Sequence, residues 1–337
     1  MKISIVLPCC CAERTLPDIL SDISGQTYRE WELICVSNGD GQEKQMHILR
    51  EWERKDSRIR AISLPFPMSG VSQARNSGAA EAKGDWVCFV DADDRLNPNH
   101  LELMAAAATG TTDLVYGGIT QRRISHIGST DSKRPLPTGD FVSALLDNDN
   151  ASAPYNVLIK KNLLGPHPFE PTYTYGEDAV FKYRLISRAQ NIALIPLTGY
   201  IYVRNCLSVS AVDRYHERIE ESIDEKFTLL EQLLLKHGVT PGEAAAKSHR
   251  LYYDTAIANI LTNPFHIGTP LSPAGKYKRV RRNFFCGRTP QKIFDACHSP
   301  AERNPFFLLL RTGRLMRSPM LVTAVLQIVY FFKYAKI

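Results

Sequence analysis

The stretch GVSQARNSGAAEAKGDWVCFVDADDRLNPNH, Gly70 to His100, decides how this chain is read. Inside it, Trp86-Val87-Cys88-Phe89-Val90 is an apolar run rich in aromatic and β-branched residues, the composition of a buried strand. Three carboxylates follow within four positions: Asp91, Asp93 and Asp94. Unpaired charge is too costly to stay in an apolar layer, so these groups must meet solvent, cations or a metal ion. Hard oxygen ligands spaced D-x-D suit Mg²⁺ or Mn²⁺, which bridge such carboxylates to substrate phosphates. In open α/β sheets the ligand crevice lies beyond the carboxyl ends of the strands, which is where this turn falls. Acidic turns also occur as plain turns, and the triplet alone leaves both readings open.

Outward from this stretch, strand and helix signals alternate over the first ~120 residues. Ile3–Leu7, Trp31–Val36, Ile59–Leu64 and Asp113–Tyr116 read as further strands. Thr15–Gly25, Lys44–Arg54, Val71–Ala82 and Leu101–Ala108 read as helices. This alternation predicts a mainly parallel sheet with right-handed crossovers. From Arg122 to Pro171 loop-forming residues dominate, broken by short apolar pieces such as Phe141–Leu146. Gly176–Ser187 returns as a helix, and Ile192–Ile195 and Tyr200–Val203 read as strands. Beyond Asp213 the pattern is mainly helical, notably over Ile219–His237 and Glu243–Leu261.

With 337 residues the chain has room for one large domain and an appendage. Its net charge of +6 is uneven: Lys276, Lys278, Arg279, Arg281, Arg282 and Arg288 cluster, and Arg311, Arg314, Arg317, Lys333 and Lys336 follow. That excess suggests an acidic partner surface for the C-terminal part. Few aromatics interleave with it beyond Tyr277, Phe284 and Phe285, so no nucleic-acid partner is expected. The eight cysteines form no paired C-x-x-C motif, which speaks against structural zinc and fits a reducing cytoplasm. The start, MKISIVLPCCCAER, has too short an apolar run for a secretion signal and reads as a first strand. Pro319–Phe332 is an uncharged segment of fourteen residues between Arg317 and Lys333, below the roughly 20 residues a spanning helix needs. Two readings stay open for it, a core-packing terminal helix or an interfacial helix on the inner face of an anionic membrane.

Several motifs line up in order: ISIVLP (Ile3–Pro8), QTY (Gln26–Tyr28), VSNGD (Val36–Asp40), GVSQARNSG (Gly70–Gly78) and AKGDWVCFVDADD (Ala82–Asp94). YGED (Tyr175–Asp178) and YIYVRNCLSVS from Tyr200 follow. Together they resemble glycosyltransferase family 2, inverting enzymes of the GT-A fold that use nucleotide-sugars. The resemblance implies an α/β GT-A domain over residues 1–210 and leaves 211–337 outside it, a helical region whose tail keeps both readings, packing in the core or associating with a membrane. It places Pro8, Asn38 and Arg75 beside the donor's base and ribose, and Asp91 and Asp93 on the D-x-D that holds Mg²⁺ or Mn²⁺. Arg204, with Ser208, falls where the family has diphosphate or active-site loop contacts. Asp178 falls on the general base that deprotonates the acceptor hydroxyl, while Glu177 beside it suits the first turn of a helix. The implied partners are a nucleotide-sugar donor, with uridine the leading base, and a saccharide or lipid-linked acceptor.

The chain departs from the family pattern at two places. Cys10 and Cys11 stand where the family usually has Tyr-Asn, and Asn38 stands where it often has Asp. No histidine or resolving-cysteine motif lies near the cysteine triplet, so thiol chemistry is not indicated. Two rivals are a sugar nucleotidyltransferase and a degenerate sugar-nucleotide-binding scaffold. The first needs a glycine-rich basic loop after the first strand, where Pro8-Cys9-Cys10-Cys11-Ala12-Glu13 has neither glycine nor lysine. The second has no need of a base at Asp178.

Overall fold

The structure is a computed structural model and describes residues 1–39, 42–65, 70–119, 136–137, 154–203, 215–244, 259–260, 262–266, 268–285 and 318–334. The chain divides into two compact units, one of Met1–Thr172 with Glu177–Cys206 and one of Tyr173–Gly176 with Leu207–Ile337.

The first unit is built on a mixed sheet. Strands β1 (Ile3–Cys9), β2 (Trp31–Ser37), β3 (Ile59–Ser63) and β4 (Trp86–Phe89) run parallel in the order β3-β2-β1-β4. All seven residues of β1 are buried, as expected of a parallel strand covered on both faces. Helices α1 (Leu16–Ser24), α2 (Glu43–Lys55) and α3 (Val71–Glu81) provide the crossovers. In α1 the buried stripe is Leu16, Ile19, Leu20 and Ile23, the i, i+3, i+4, i+7 spacing of one helical face.

Past β4 the sheet stops being parallel. A short strand β5 (Arg95–Leu96) and helix α4 (His100–Ala107) lead to β6 (Leu114–Ile119). The two residues Leu136-Pro137 form β7. Strand β8 (Val157–Lys160) inserts antiparallel between β4 and β6. Helix α5 (Glu177–Arg188) precedes β9 (Asn191–Ile201), which pairs parallel with β6 and antiparallel with β5 and β7. The expected strand Ile192–Ile195 and the first two residues of the expected Tyr200–Val203 thus belong to one continuous strand, which ends at Ile201. The pairing with β6 slips between Gly117 and Ile119, and this absorbs Pro196 and Gly199 inside β9.

Helix α3 lies unusually close to the sheet. A Cβ on Gly78 would come within 2.3 Å of Val6 Cγ1 in β1. Only glycine permits that approach, and one turn earlier on the same buried face sits Arg75.

In the second unit, α6 (Ile219–Lys236) buries Ile219, Ile223, Phe227, Leu230 and Leu234 along one face. Its Glu220 accepts from Arg279 Nε at 2.7 Å and from Asn283 at 2.5 Å, both on helix α7 (Pro273–Phe285). Helix α8 (Pro319–Tyr334) packs against α7; Val322 and Leu326 are buried on it, and Met320, Leu321 and Ile328 are exposed. No helix among the described residues is long and apolar enough to cross a membrane. The helix expected over Glu243–Leu261 and the apolar piece Phe141–Leu146 lie largely outside the described residues.

Gly78→Ala should overpack this contact and lower stability by about 1–3 kcal/mol in urea unfolding. Adding Val6→Ala should recover part of the loss by making room for the new methyl group. Wild-type stability in Gly78→Ala alone would show that α3 is not held as close as described.

Candidate active site

Asp91 follows β4 by two residues, beyond the carboxyl ends of the parallel strands. Asp178 stands in the first turn of α5. Three phenylalanines bring these elements together: Phe89 at the end of β4, Phe169 in the loop before α5, and Phe181 one turn after Asp178. Phe169 stacks on Phe181 with centroids 4.1 Å apart, and Phe89 meets both rings edge-on at 5.2 and 5.8 Å. Asn76 of α3 pins the same loop through two bonds, donating to the Phe169 carbonyl at 2.8 Å and accepting from its N–H at 2.9 Å.

At the centre of this framework is Arg75. Its side chain is only 4% exposed, yet it carries a full charge. Nη1 donates to Asp178 Oδ1 at 2.7 Å, and Nη2 donates to Asp91 Oδ1 at 3.0 Å. Burial works against the charge, but Asp178 and then Asp91 outweigh it and raise the Arg75 pKa further above the usual arginine value. Burial in turn raises the Asp178 carboxyl above the usual range, Arg75 opposes the rise, and the Asp91 charge adds to it. A carboxylate so shifted is a stronger proton acceptor than an exposed one, as a general base requires.

The three acids of the turn have different surroundings. Asp94 is 1% exposed, and both its oxygens are taken: Tyr200 donates to Oδ2 at 2.6 Å, and the Val203 N–H donates to Oδ1 at 2.9 Å. Burial raises its pKa to about 7 despite those bonds, with Asp91 and Asp93 contributing repulsion. Asp94 therefore ties the turn to β9, a structural role that the spacing of the acids did not reveal. Asp93 is half-buried, and its carboxyl is raised by burial and by repulsion from Asp91.

No cluster of three or more His, Cys, Asp or Glu side chains suited to a metal occurs among the described residues. Asp91 and Asp93 nevertheless fit one, because Mg²⁺ is commonly held by one or two carboxylates with substrate phosphates completing its shell. Their mutual repulsion in a half-buried turn is the electrostatic condition that a cation relieves.

The expected nucleoside residues lie along the ends of β1 and β2. Pro8 is buried within β1 opposite Val36. Asn38 is 3% exposed, and its side chain is engaged within the protein: Nδ2 donates to the Cys9 carbonyl at 3.1 Å, and Oδ1 accepts from the Gly70 N–H at 3.3 Å. Asn38 thus anchors Gly70 at the entrance of α3. The thiol of Cys9 is buried and its pKa is pushed up by that burial, whereas Cys10 and Cys11 are exposed. Arg75, Asp91 and Asp178 come together directly, and no hydrogen bond joins Pro8 or Asn38 to them among the described residues. Arg204 and Ser208 lie outside the described residues. Phe169 stands in no sequence motif, and Asn76, although inside GVSQARNSG, carried no signal of this role.

Residues 4–164 match the family profile described as Glycosyl transferase family 2. The chain carries a family 2 glycosyltransferase domain. The chain is 27% identical over 211 residues to the UDP-Glc:alpha-D-GlcNAc-diphosphoundecaprenol beta-1,3-glucosyltransferase WfgD of Escherichia coli, covering 62% of this chain and 79% of WfgD. It is 25% identical over 214 residues to EpsH of Bacillus subtilis, and the match spans 60% of each chain. Among solved structures, TarS 1-349 of S. aureus in complex with UDP-GlcNAc aligns with a TM-score of 0.64 over 99% of this chain and 92% of that one. At 15% identity that likeness concerns the fold, which is of the GT-A type with a helical C-terminal region.

The raised carboxyls set a pH dependence of stability. Asp94 binds its proton more tightly in the folded state, from an ordinary 3.8 to about 7, so its contribution is complete at acid pH and lost as pH rises through that interval. Asp93 and Asp178 act in the same direction. In EDTA the melting temperature should fall between about pH 5 and pH 8, and Asp94→Asn should flatten that slope. A melting temperature that climbs across this range would contradict the assigned burial of these acids.

Proposed function

We propose that the chain is an inverting glycosyltransferase that moves a sugar from a nucleoside-diphosphate sugar, UDP-linked as the leading choice, to a hydroxyl of a saccharide or lipid-linked saccharide. The observation that carries this reading is the joining of Asp91, at the end of β4, and Asp178, at the start of α5, by one buried guanidinium. The UDP-GlcNAc bound to TarS supports the donor class, and the diphosphoundecaprenol-linked substrate in the name of WfgD supports the acceptor class.

Asp178 accepts the proton of the acceptor hydroxyl through its second carboxylate oxygen, since Oδ1 is held by Arg75. The hydroxyl oxygen attacks the anomeric carbon as the bond from that carbon to the diphosphate oxygen breaks. The nucleoside diphosphate leaves with the bonding electron pair, and a single displacement inverts the anomeric centre. Asp91 and Asp93 would hold a divalent cation, Mg²⁺ or Mn²⁺, which supplies charge neutralisation to the leaving diphosphate.

Asp178→Asn should lower turnover by about 10²–10⁴-fold and leave UDP binding unchanged, because the base faces the acceptor. Asp93→Ala should abolish the Mn²⁺-dependent part of UDP affinity in calorimetry. Undiminished turnover in Asp178→Asn would remove the base assignment, and full activity in EDTA would remove the metal.

We further infer that this cytoplasmic enzyme meets the inner membrane surface through its last helices. Met320, Leu321 and Ile328 are exposed on α8, and Lys278, Arg281 and Arg282 are exposed on the neighbouring α7. Each basic residue near anionic lipid contributes about 1 kcal/mol. The full chain with Met320, Leu321 and Ile328 changed to Ser should remain folded and lose co-sedimentation with phosphatidylglycerol vesicles. Undiminished co-sedimentation of the folded variant would overturn this reading.

A further inference from the structure

The resemblance to the family puts Arg75 beside the nucleoside of the donor, but the structure gives its guanidinium other work. Both terminal nitrogens are engaged, each by a different carboxylate, at 2.7 Å for Asp178 and 3.0 Å for Asp91. The Phe169 ring lies 5.3 Å from the guanidinium carbon, and Nε is buried with no hydrogen-bond partner among the described residues. Arg75 is buried, and both of its terminal nitrogens are already occupied by these carboxylates. Asn38, the other expected nucleoside contact on this side, bonds Cys9 and Gly70 and not Arg75.

We propose that Arg75 is a positioning residue: its planar fork holds Asp178 at a fixed place relative to Asp91, so that the proton acceptor and the donor-side carboxylate stay in register. This rests on the reading of Asp178 as the base. A guanidinium presents its nitrogens in a rigid plane, so two carboxylates gripped by Nη1 and Nη2 have little freedom relative to one another. Each carboxylate uses one oxygen on Arg75. The second oxygen of each has no hydrogen-bond partner among the described residues, that of Asp178 being left for the acceptor hydroxyl and that of Asp91 for the donor side. Without the cation, two acids that share one small space would repel and turn apart. A lysine ammonium preserves the charge and lacks the fork, so it can serve one carboxylate well but not hold the pair.

The test uses the full chain and two independent readouts. The first is kinetic, with UDP as the binding probe. Arg75→Lys should lower kcat by about 10²-fold, the usual cost of misplacing a catalytic group by about 1 Å, with UDP affinity measured in EDTA unchanged. A loss of UDP affinity with kcat intact at saturating donor would make Arg75 a nucleoside contact and overturn the proposal. The second readout is the melting temperature in EDTA, which needs no activity. Asp178→Asn should shift it less favourably in the wild-type background, where a carboxylate bonded to Arg75 is lost, than in an Arg75→Met background. In that second background the same change should raise it, because one of two uncompensated acids is removed. Additive effects of the two substitutions would overturn the proposal. Normal turnover in Asp178→Asn would instead refute the base, while the melting cycle still decided whether Arg75 couples the two acids.

Discussion

A guanidinium in a protein interior is tolerable only if anions meet it, and two anions in one small space are tolerable only if a cation lies between them. Arg75, Asp91 and Asp178 satisfy both conditions at once. Around this mutual dependence the first unit is organised. The absence of a side chain at Gly78 brings α3 down on Val6, which places Arg75 at the carboxyl ends of the strands. The Phe89–Phe169–Phe181 stack fixes the start of α5 against the end of β4, which places Asp178 within reach. Asn76 fastens the loop that carries the middle ring. Each of these contacts is ordinary packing, and together they set the distance between two carboxylates.

The acidic turn shows how neighbouring carboxylates are driven to separate tasks by their surroundings. Asp94 spends both oxygens on Tyr200 and Val203 and secures the turn to β9. Asp91 spends one oxygen on Arg75. Asp93 meets chiefly the repulsion of Asp91 and the cost of partial burial. Of the three, Asp91 and Asp93 retain the capacity to face a cation with its phosphates, and Asp94 does not.

Much of this was legible in the chain. The parallel half of the sheet follows from apolar runs at regular spacing, and β1 to β4 fall within a residue or two of where periodicity puts them. Strand β8 was not legible, because Val157–Lys160 is four residues long and emerges from a loop-rich stretch, and its antiparallel insertion breaks the simple alternation. Strand β9 was read as two strands because Pro196 and Gly199 interrupt its pattern, and the slipped register that accommodates them depends on β6. The D-x-D and the acid of the YGED motif stood out by residue type. Their union through Arg75 did not, since it depends on residues 16 and 103 positions apart. Asn38 looked like a ligand contact and is internally bonded, a distinction that only tertiary neighbours make.

The proposed roles, Asp91 on the donor side and Asp178 on the acceptor side, imply one displacement and no covalent sugar–enzyme stage. The stereochemistry of the product tests this most directly. A donor whose sugar is α-linked to the diphosphate, incubated with enzyme and acceptor and followed by proton NMR of the anomeric signal, should give a β-linked product from the first turnover. An α-linked first product would mean retention and would contradict the account.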